Sequence, residues 1–336
     1  MKAIFFGGTG LISCASSQLA IEKGWDLTLV NRGNRPEFTP KDAEVFNCDL
    51  NDEDRLRSFL SGKSYDVAVE WVAFHPERVH GDVNLLLGKT RQYILISSCA
   101  AYERPMKRHL VTEDLPLNNK FWQYGRDKRM CEEEAMTAYR ELGFPVTIVR
   151  PSLTYGDSQI PYAMGCWAKP WSLVQRMLDG KPIICHGDGV SLWSVTHNSD
   201  FAKGFVGLMG KSQAVGEAYH IVSDEVLTWD QIAEEIAEAA GTQAKIVHMS
   251  AHQISRFIPH MLGSLLGDKS TSAIFDCSKI KRLVPEFICT TPFSAGIRKT
   301  ISYFRSHPEL QIVDEEWNAS IDALIEADSR VCPVKS

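Results

Sequence analysis

The chain has 336 residues, of which 44% are hydrophobic, and a formal net charge of -6 at pH 7. This length fits one large domain or two closely joined ones, and the acidic balance gives no electrostatic reason to expect nucleic acid as a partner. No apolar run approaches the roughly 18 residues of a membrane span, and the apolar start is too short for a signal peptide. The nine cysteines include no C-x-x-C pair, which predicts reduced thiols in a cytoplasmic protein and no metal site.

Short apolar runs alternate with helical patterns through the first 150 residues. Strands are predicted at 2–6, 26–30, 44–46, 66–72, 92–97 and 144–151, and helices at 11–23, 52–60, 77–87 and 122–142. Continuous apolar strands separated by helices are typical of a parallel sheet covered on both faces. We therefore predict an α/β fold built on a Rossmann-type, doubly wound parallel sheet.

Beyond Pro151 the pattern changes, because prolines and aromatic residues crowd the segment 155–190. Further elements are predicted as a helix at 199–209, a strand at 218–222 and a helix at 228–240. We predict a smaller mixed α/β lobe that binds substrate. On this division, the dinucleotide-binding domain covers 1–155 plus about 190–224, and the substrate-binding lobe covers about 156–189 plus 225–330.

The first strand runs directly into the glycine-rich stretch GGTGLIS. Gly7, Gly10 and Ser13 occupy the three positions of a G-x-x-G-x-x-G turn between a strand and a helix. Glycines permit a tight turn and let backbone amides approach a pyrophosphate at a helix N-terminus. The stretch predicts a dinucleotide-binding loop whose contacts are Gly7, Thr9, Gly10, Leu11 and Ile12.

The end of the second strand, in VNRGN, indicates which dinucleotide is bound. NAD-binding units place an acidic residue there to bond the ribose 2′-hydroxyl, whereas this chain has Asn31, followed by Arg32 and Arg35. Guanidinium groups suit a 2′-phosphate, so NADP(H) is favoured over NAD(H), although Arg32 also fits an ordinary surface turn. Asp49 and Leu50 follow the third strand and are predicted to meet the adenine, with a cap of the helix 52–60 as the alternative for Asp49.

The stretch YGRDK places Tyr124 and Lys128 four residues apart, on one face of a helix. An ammonium beside a phenol stabilises the phenolate and lowers the pKa of the tyrosine, which makes it usable as an acid or base near neutral pH. Ser98 lies 26 residues upstream in LISSCAAY, at the end of an apolar strand, where it can hold a substrate oxygen beside Tyr124.

With GGTGLIS, CDL, ISSCAAY, YGRDK and IVRPSLTYG in this order, roughly residues 1–300 resemble the extended short-chain dehydrogenase/reductases, and within them the NAD-dependent epimerase/dehydratase family. The resemblance implies that Tyr124 is the acid/base, that Lys128 lowers its pKa and bonds the nicotinamide ribose, and that Ser98 is the catalytic serine. It further implies that Val72, Ala73 and Pro151 contact the cofactor. In many relatives the helices at 77–87 and 122–142 form a dimer face, so a homodimer is expected.

Two departures from the family pattern concern the substrate. Dehydratases carry an Asp-Glu pair after the catalytic Ser/Thr, and decarboxylases carry a Glu there, but this chain has Cys99, Ala100 and Ala101. Both chemistries need an acid or base at that place and are therefore disfavoured. The arginine that commonly holds the diphosphate of a nucleotide-sugar is replaced by Trp193, which makes a diphosphate-linked substrate doubtful.

The remaining candidate residues have both functional and structural interpretations. Trp193 either stacks on a sugar or aromatic ring of the substrate or belongs to the core, and Asp200 is expected to cap its helix. His75 and Cys99 are possible substrate contacts, while Arg150 is expected to be a structural residue at a strand end.

The sequence thus predicts an NAD(P)-dependent oxidoreductase or epimerase acting on a secondary alcohol or ketone of a small, carbohydrate-like molecule. A catalytically silent NADP(H) sensor or scaffold is the first alternative. An RNA-associated member of an atypical family branch is the second, which the acidic charge disfavours.

Overall fold

The computed structural model describes residues 1–331. Its strands are β1 (Lys2–Phe6), β2 (Asp26–Asn31), β3 (Glu44–Asn47), β4 (Val67–Glu70), β5 (Tyr93–Ile96), β6 (Leu110–Val111), β7 (Val146–Arg150), β8 (Leu153–Tyr155), β9 (Ile183–His186), β10 (Leu192–Trp193), β11 (Val195–His197), β12 (Ala218–His220), β13 (Leu227–Thr228), β14 (Ile246–Met249) and β15 (Ile274–Phe275).

The helices in the same range are α1 (Ser13–Glu22), α2 (Glu53–Phe59), α3 (Pro76–Leu86), α4 (Gln123–Leu142), α5 (Trp171–Leu178), α6 (Asn198–Leu208), α7 (Trp229–Ala240), α8 (Ala251–Phe257), α9 (Met261–Ser264), α10 (Ser278–Leu283), α11 (Phe293–Ser306) and α12 (Glu315–Val331). None of them is both long and apolar enough to cross a membrane.

Seven strands form one parallel sheet in the order β12-β7-β5-β4-β1-β2-β3. The chain builds outward from β1 to β3, then crosses over and continues from β4 toward the opposite edge. This reversal beside β1 is the topological switch point of a doubly wound sheet, where such folds bind their ligands. The predicted fold class is confirmed.

The central strand shows why the apolar runs are continuous. Ala3 and Phe5 point into one core cluster, Ile4 and Phe6 point into a second cluster, and all four side chains are fully buried. Successive strand residues face opposite sides of the sheet, so a strand covered by helices on both sides needs apolar residues at every position.

Outside the large sheet there are four small two-stranded pairings: β8 with β11, β9 with β14 and β10 with β13, all formed after β7, and β15 with β6, which lies before β7. Helix α7 packs among them and begins with a capping box, in which Thr228 and Gln231 satisfy each other's backbone amides. The largest core cluster contains Phe5 of the sheet together with Trp193 and Ile321. The predicted domain boundaries therefore cut through a shared core, and they stay a prediction.

Candidate active site

A cavity of about 1290 Å³ opens at the carboxyl ends of the sheet strands. Its lining includes residues that directly follow or end five strands: Gly7, Asn31, Trp71, Ser97 and Pro151. The position is the one that a doubly wound sheet predicts for a nucleotide. Segments after Pro151 close the other side of the same cavity.

The turn after β1 requires glycine. Gly7 and Gly8 have φ of 105° and 103°, a region that side chains other than glycine rarely adopt. A Cβ on Gly8 would lie 2.6 Å from the Leu29 side chain. The turn therefore lies too close to β2 for any side chain at this position. The Gly7 amide donates to the Val30 carbonyl at 2.9 Å, which anchors the turn to β2.

Two serines stabilise the turn, one of them Ser13 at its third position. The Gly10 amide donates to Ser13 Oγ at 2.8 Å, and Ser17 Oγ donates to the Gly8 carbonyl at 2.7 Å. In the part of the chain that the structure describes, no side chain caps the start of α1, and the first turn of this helix contains no acidic residue. The predicted cofactor residues Gly7, Thr9, Gly10, Leu11 and Ile12 all line the cavity. This geometry fits a pyrophosphate at the N-terminus of α1.

The cavity continues past the end of β2, where it is lined by five residues predicted to contact the cofactor: Asn31, Arg32, Arg35, Asp49 and Leu50. Asn31 Oδ1 accepts from the Gly33 amide at 2.8 Å, while Asn31 Nδ2 is buried and has no hydrogen-bond partner among residues 1–331. An unpartnered buried donor beside a cavity is ready to bond a ligand oxygen.

Asp49 does not cap α2, so that alternative is wrong. Its carboxylate accepts from the Asn51 amide at 2.9 Å, and the cap of α2 is Asp52, which accepts from the Arg55 amide.

Ser98, Tyr124 and Lys128 meet in the same cavity. Ser98 follows β5 and accepts from the Ala100 amide at 3.1 Å, while Tyr124 and Lys128 lie one turn apart on α4. Lys128 is buried, and its Nζ donates to the carbonyl oxygens of Ala73 at 2.7 Å and Ile96 at 2.9 Å. These bonds hold the ammonium between the end of β5 and the segment that follows β4.

The expected lowering of the Tyr124 pKa is not found. Burial raises the pKa of Tyr124 to about 12, against the opposing effect of a hydrogen bond with Ser98. Lys128 Nζ lies 5.9 Å from the centre of the Tyr124 ring and donates its hydrogen bonds to backbone carbonyl groups. Burial also lowers the pKa of Lys128. Tyr124 is therefore a neutral phenol near pH 7, which is the form that donates a proton.

Of the remaining residues predicted to contact cofactor or substrate, Ala73 does not line the cavity, whereas four others do: Val72, His75, Cys99 and Pro151. Ala73 is fully buried, and its contribution is the carbonyl that holds Lys128. His75 is exposed at the mouth, with Nδ1 3.8 Å from Asp127. Cys99 is buried, and its thiol donates to the Arg150 carbonyl at 3.3 Å. Little of this side chain is therefore accessible to a substrate.

Trp193 is a core residue, so its proposed substrate contact is wrong. It is 1% exposed and lies outside the cavity lining, with its ring centre 5.9 Å from Trp229 and 6.0 Å from Phe275. Asp200 also differs from the expectation: His197 caps α6, while Asp200 binds Lys203 and the backbone amides of 290 and 291.

The residues that line the cavity wall opposite the sheet were not predicted from the sequence. This wall includes aromatic, apolar and charged residues, Trp122, Tyr162, Trp167, Met261, Asp268 and Lys269, together with Phe74. Asp268 bonds both Arg104 and Lys269 at 3.0 Å. Only the crowding of aromatic residues between 155 and 190 hinted at this wall, because most of its members are distant in sequence from the catalytic helix.

Comparison with known families identifies the family of this chain. The model of the NAD dependent epimerase/dehydratase family matches residues 3–222. The chain belongs to this family. It is accordingly an enzyme of the short-chain dehydrogenase/reductase type that uses a nicotinamide cofactor.

Two curated relatives differ in their described roles. The chloroplast stem-loop binding protein of 41 kDa b from Arabidopsis thaliana is 24% identical over 74% of this chain, and the match covers 65% of that protein, slightly under two thirds. The 2′-dehydrokanamycin reductase of Streptomyces kanamyceticus is 21% identical over 85% of this chain and 80% of that protein.

Solved structures share the fold at low identity. The UDP-glucuronic acid 4-epimerase from Bacillus cereus, in complex with NAD, has a TM-score of 0.74 and 19% identity, covering 94% of this chain and all of that one. The dTDP-glucose 4,6-dehydratase from Bacillus anthracis, also with NAD, has a TM-score of 0.73 and 17% identity, covering 92% and 98%. Because dehydratases share this fold, the case against dehydration rests on the residues of this chain alone.

Proposed function

We propose that this enzyme transfers hydride between a nicotinamide cofactor and a secondary alcohol or ketone of a carbohydrate-like substrate, with Tyr124 as acid/base. The observation that carries the proposal is the meeting of Ser98, Tyr124 and Lys128 in the cavity that also contains the glycine turn. A proton-transfer group and a dinucleotide cradle within one cavity are what such chemistry requires.

The residues present fit the cofactor. The turn Gly7–Ile12 would hold the pyrophosphate at the start of α1, Asn31 Nδ2 is free to bond an oxygen, and Arg32 and Arg35 offer charge for a 2′-phosphate. NADP(H) is thereby favoured over NAD(H). When bound, the nicotinamide ring supplies or accepts the hydride; Lys128 would bond its ribose.

The protonation of Tyr124 favours reduction. A phenol with a pKa of about 12 is protonated at neutral pH and can donate to a carbonyl oxygen as that oxygen gains negative charge. Ser98 is placed to orient the same oxygen. An epimerase also needs this donor in its reducing half-reaction, so the proton donor is compatible with either a reductase or an epimerase.

The charge balance of the opposite wall supports an uncharged substrate. Among the described residues after Pro151, the cavity lining contains one acidic residue, Asp268, and one basic residue, Lys269. The two bond each other at 3.0 Å, so neither is a free partner for a diphosphate. Cys99, Ala100 and Ala101 supply no carboxylate beside Ser98, which disfavours dehydration.

The decisive experiment follows NADPH oxidation over a panel of ketones and keto-sugars, including ones without a nucleotide. The relationship to a reductase of an aminoglycoside ketone makes such substrates the first choice. Tyr124→Phe should lower turnover by about 100-fold or more, since general acids contribute about 10² to 10⁴ in rate, and should still bind NADPH. The matched control is Tyr139→Phe on the same helix, which should keep wild-type turnover.

Near-normal turnover by Tyr124→Phe would overturn the acid/base assignment. NADPH binding without oxidation by any member of the panel would favour the silent sensor. RNA binding receives no support from the net charge, and a salt-dependent binding curve with stem-loop RNA tests it directly.

A further inference from the structure

Three side chains with metal-binding atoms lie together outside the active site. Cys185 comes from β9, Asp230 from the first turn of α7 and His248 from β14, and one donor atom of each lies within 4.8 Å of the others. His248 Nε2 is 2.9 Å from both carboxylate oxygens of Asp230. None of the three belongs to the lining of the active-site cavity.

The backbone brings these residues together. Strands β9 and β14 are parallel, and their register pairs Cys185 with His248, which places both side chains on the same face of the pair. The Asp230 amide donates to the Gly189 carbonyl at 3.1 Å. A Cβ on Gly189 would lie 2.0 Å from Asp230 Oδ1, so the glycine makes space for the carboxylate.

The cluster has a buried end and an open end. Cys185 is 1% exposed, whereas the side chains of Asp230 and His248 are 27% and 39% exposed. An ion can therefore reach the cluster from solvent while its softest ligand stays protected. A His–Asp pair at the surface does not by itself indicate a metal site. Here the Cys185 thiol, from a third chain segment, completes a set of three metal donor atoms.

We propose that Cys185, Asp230 and His248 form a site for a divalent transition metal, with zinc as the ion that fits best. Sulfur, imidazole nitrogen and carboxylate oxygen are the three ligand types of protein zinc sites, and three protein ligands leave a fourth position for water. Calcium and magnesium prefer oxygen ligands throughout and do not match the thiol. The sequence spacing of 45 and 18 residues between the ligands resembles no common metal motif.

A metal at this place would fasten three elements of the substrate-side region. It would join β9, β14 and the start of α7, next to His186, whose Nε2 bonds the Lys269 carbonyl at 2.9 Å. Lys269 lines the active-site cavity. The ion would thus brace the wall behind the substrate pocket, without taking part in the hydride transfer.

The test uses the full chain, stripped with a chelator and titrated with Co²⁺. We expect one equivalent to bind with a near-ultraviolet thiolate-to-cobalt charge-transfer band, and Zn²⁺ to displace it. Cys185→Ser should abolish the band, and Asp230→Asn and His248→Gln should each weaken cobalt binding by about tenfold or more. Cys289→Ser and His252→Gln are matched controls and should behave as wild type.

The proposal is overturned by absence of the band in the wild-type chain, or by a band that survives Cys185→Ser. Circular dichroism checks that each variant is folded. If Cys185→Ser does not fold, the other two ligand variants decide: unchanged cobalt affinity in both means that the cluster is an ordinary ion pair beside a buried thiol.

Discussion

Nitrogen donors dominate the lining where β2 ends. Asn31 presents an unpartnered amide nitrogen, and Arg32 and Arg35 add two guanidinium groups. The Arg35 guanidinium carbon lies 4.4 Å above the Phe38 ring, which supports its position without using its donors. Guanidinium groups bind phosphate through paired hydrogen bonds, and on this ground we propose that these residues distinguish the two nicotinamide dinucleotides.

Replacement of Arg32 tests that distinction. Arg32→Ala should weaken NADPH binding by about 10-fold or more, because a hydrogen bond to a charged group contributes about 1.5–3 kcal/mol. NADH binding should change by less than about threefold. Fluorescence titration of both cofactors measures the two effects, and Arg57→Ala, an exposed arginine on α2 outside the cavity, is the control. Equal losses for NADPH and NADH would contradict the assignment.

A buried network connects the strands behind the catalytic helix. Arg150 at the end of β7 donates to both carboxylate oxygens of Glu132 on α4, at 2.9 and 2.6 Å, and to Tyr102 Oη at 2.8 Å. Tyr102 bonds His220 Nε2 at 2.6 Å, and His220 Nδ1 is 3.0 Å from the Asp276 carbonyl. The sequence-based expectation that Arg150 is structural is confirmed. The network is complete only while His220 is neutral, with its proton on Nδ1.

Stability should therefore depend on pH. Burial lowers the pKa of His220 to about 4, below the value of about 6.5 in an unfolded chain. Between these values the unfolded state binds the proton and the folded state does not, so stability falls as pH falls from about 6.5 to 4. For His220 the loss is about 3 kcal/mol at most. Burial likewise lowers the pKa of His186 to about 4, which adds a loss of the same sign.

Urea unfolding at pH 7, 6 and 5 measures this loss of stability. In His220→Gln the free energy of unfolding should change less over that range than in the wild-type chain. His252→Gln, on the exposed side of α8, should leave the pH dependence unchanged. An unaltered pH slope in His220→Gln would show that this residue does not carry the effect.

The elements of the sheet were predictable because their signal is local. Apolar runs gave β1 to β5 and β7, and the glycine turn and the spacing of Tyr124 and Lys128 gave much of the cavity lining. Long-range packing was not predictable: nothing in the sequence around Trp193 shows that Trp229 and Phe275 enclose it. The raised pKa of Tyr124 was also not predictable from the sequence, because it depends on how deeply α4 is buried.

At the scale of the whole molecule, the cavity and the core both cross the predicted domain division. The sheet supplies the glycine turn and Ser98, while later segments supply Tyr162 and Asp268 to the same lining. The largest core cluster likewise extends from Phe5 to Ile321. We therefore expect a cofactor bound on the sheet side to stabilise the later segments as well, through this shared packing. The homodimer expected at α3 and α4 stays a prediction.

The continuous core predicts a single cooperative unfolding transition that the cofactor shifts as a whole. NADPH at a hundred times its dissociation constant should stabilise the folded chain by about 2.7 kcal/mol and raise the midpoint by several degrees. Calorimetry with and without NADPH measures this. Two separate peaks, of which NADPH moves only one, would instead mean that the lobes unfold independently. A single peak that shifts intact would mean that cofactor binding stabilises the substrate wall that it does not touch.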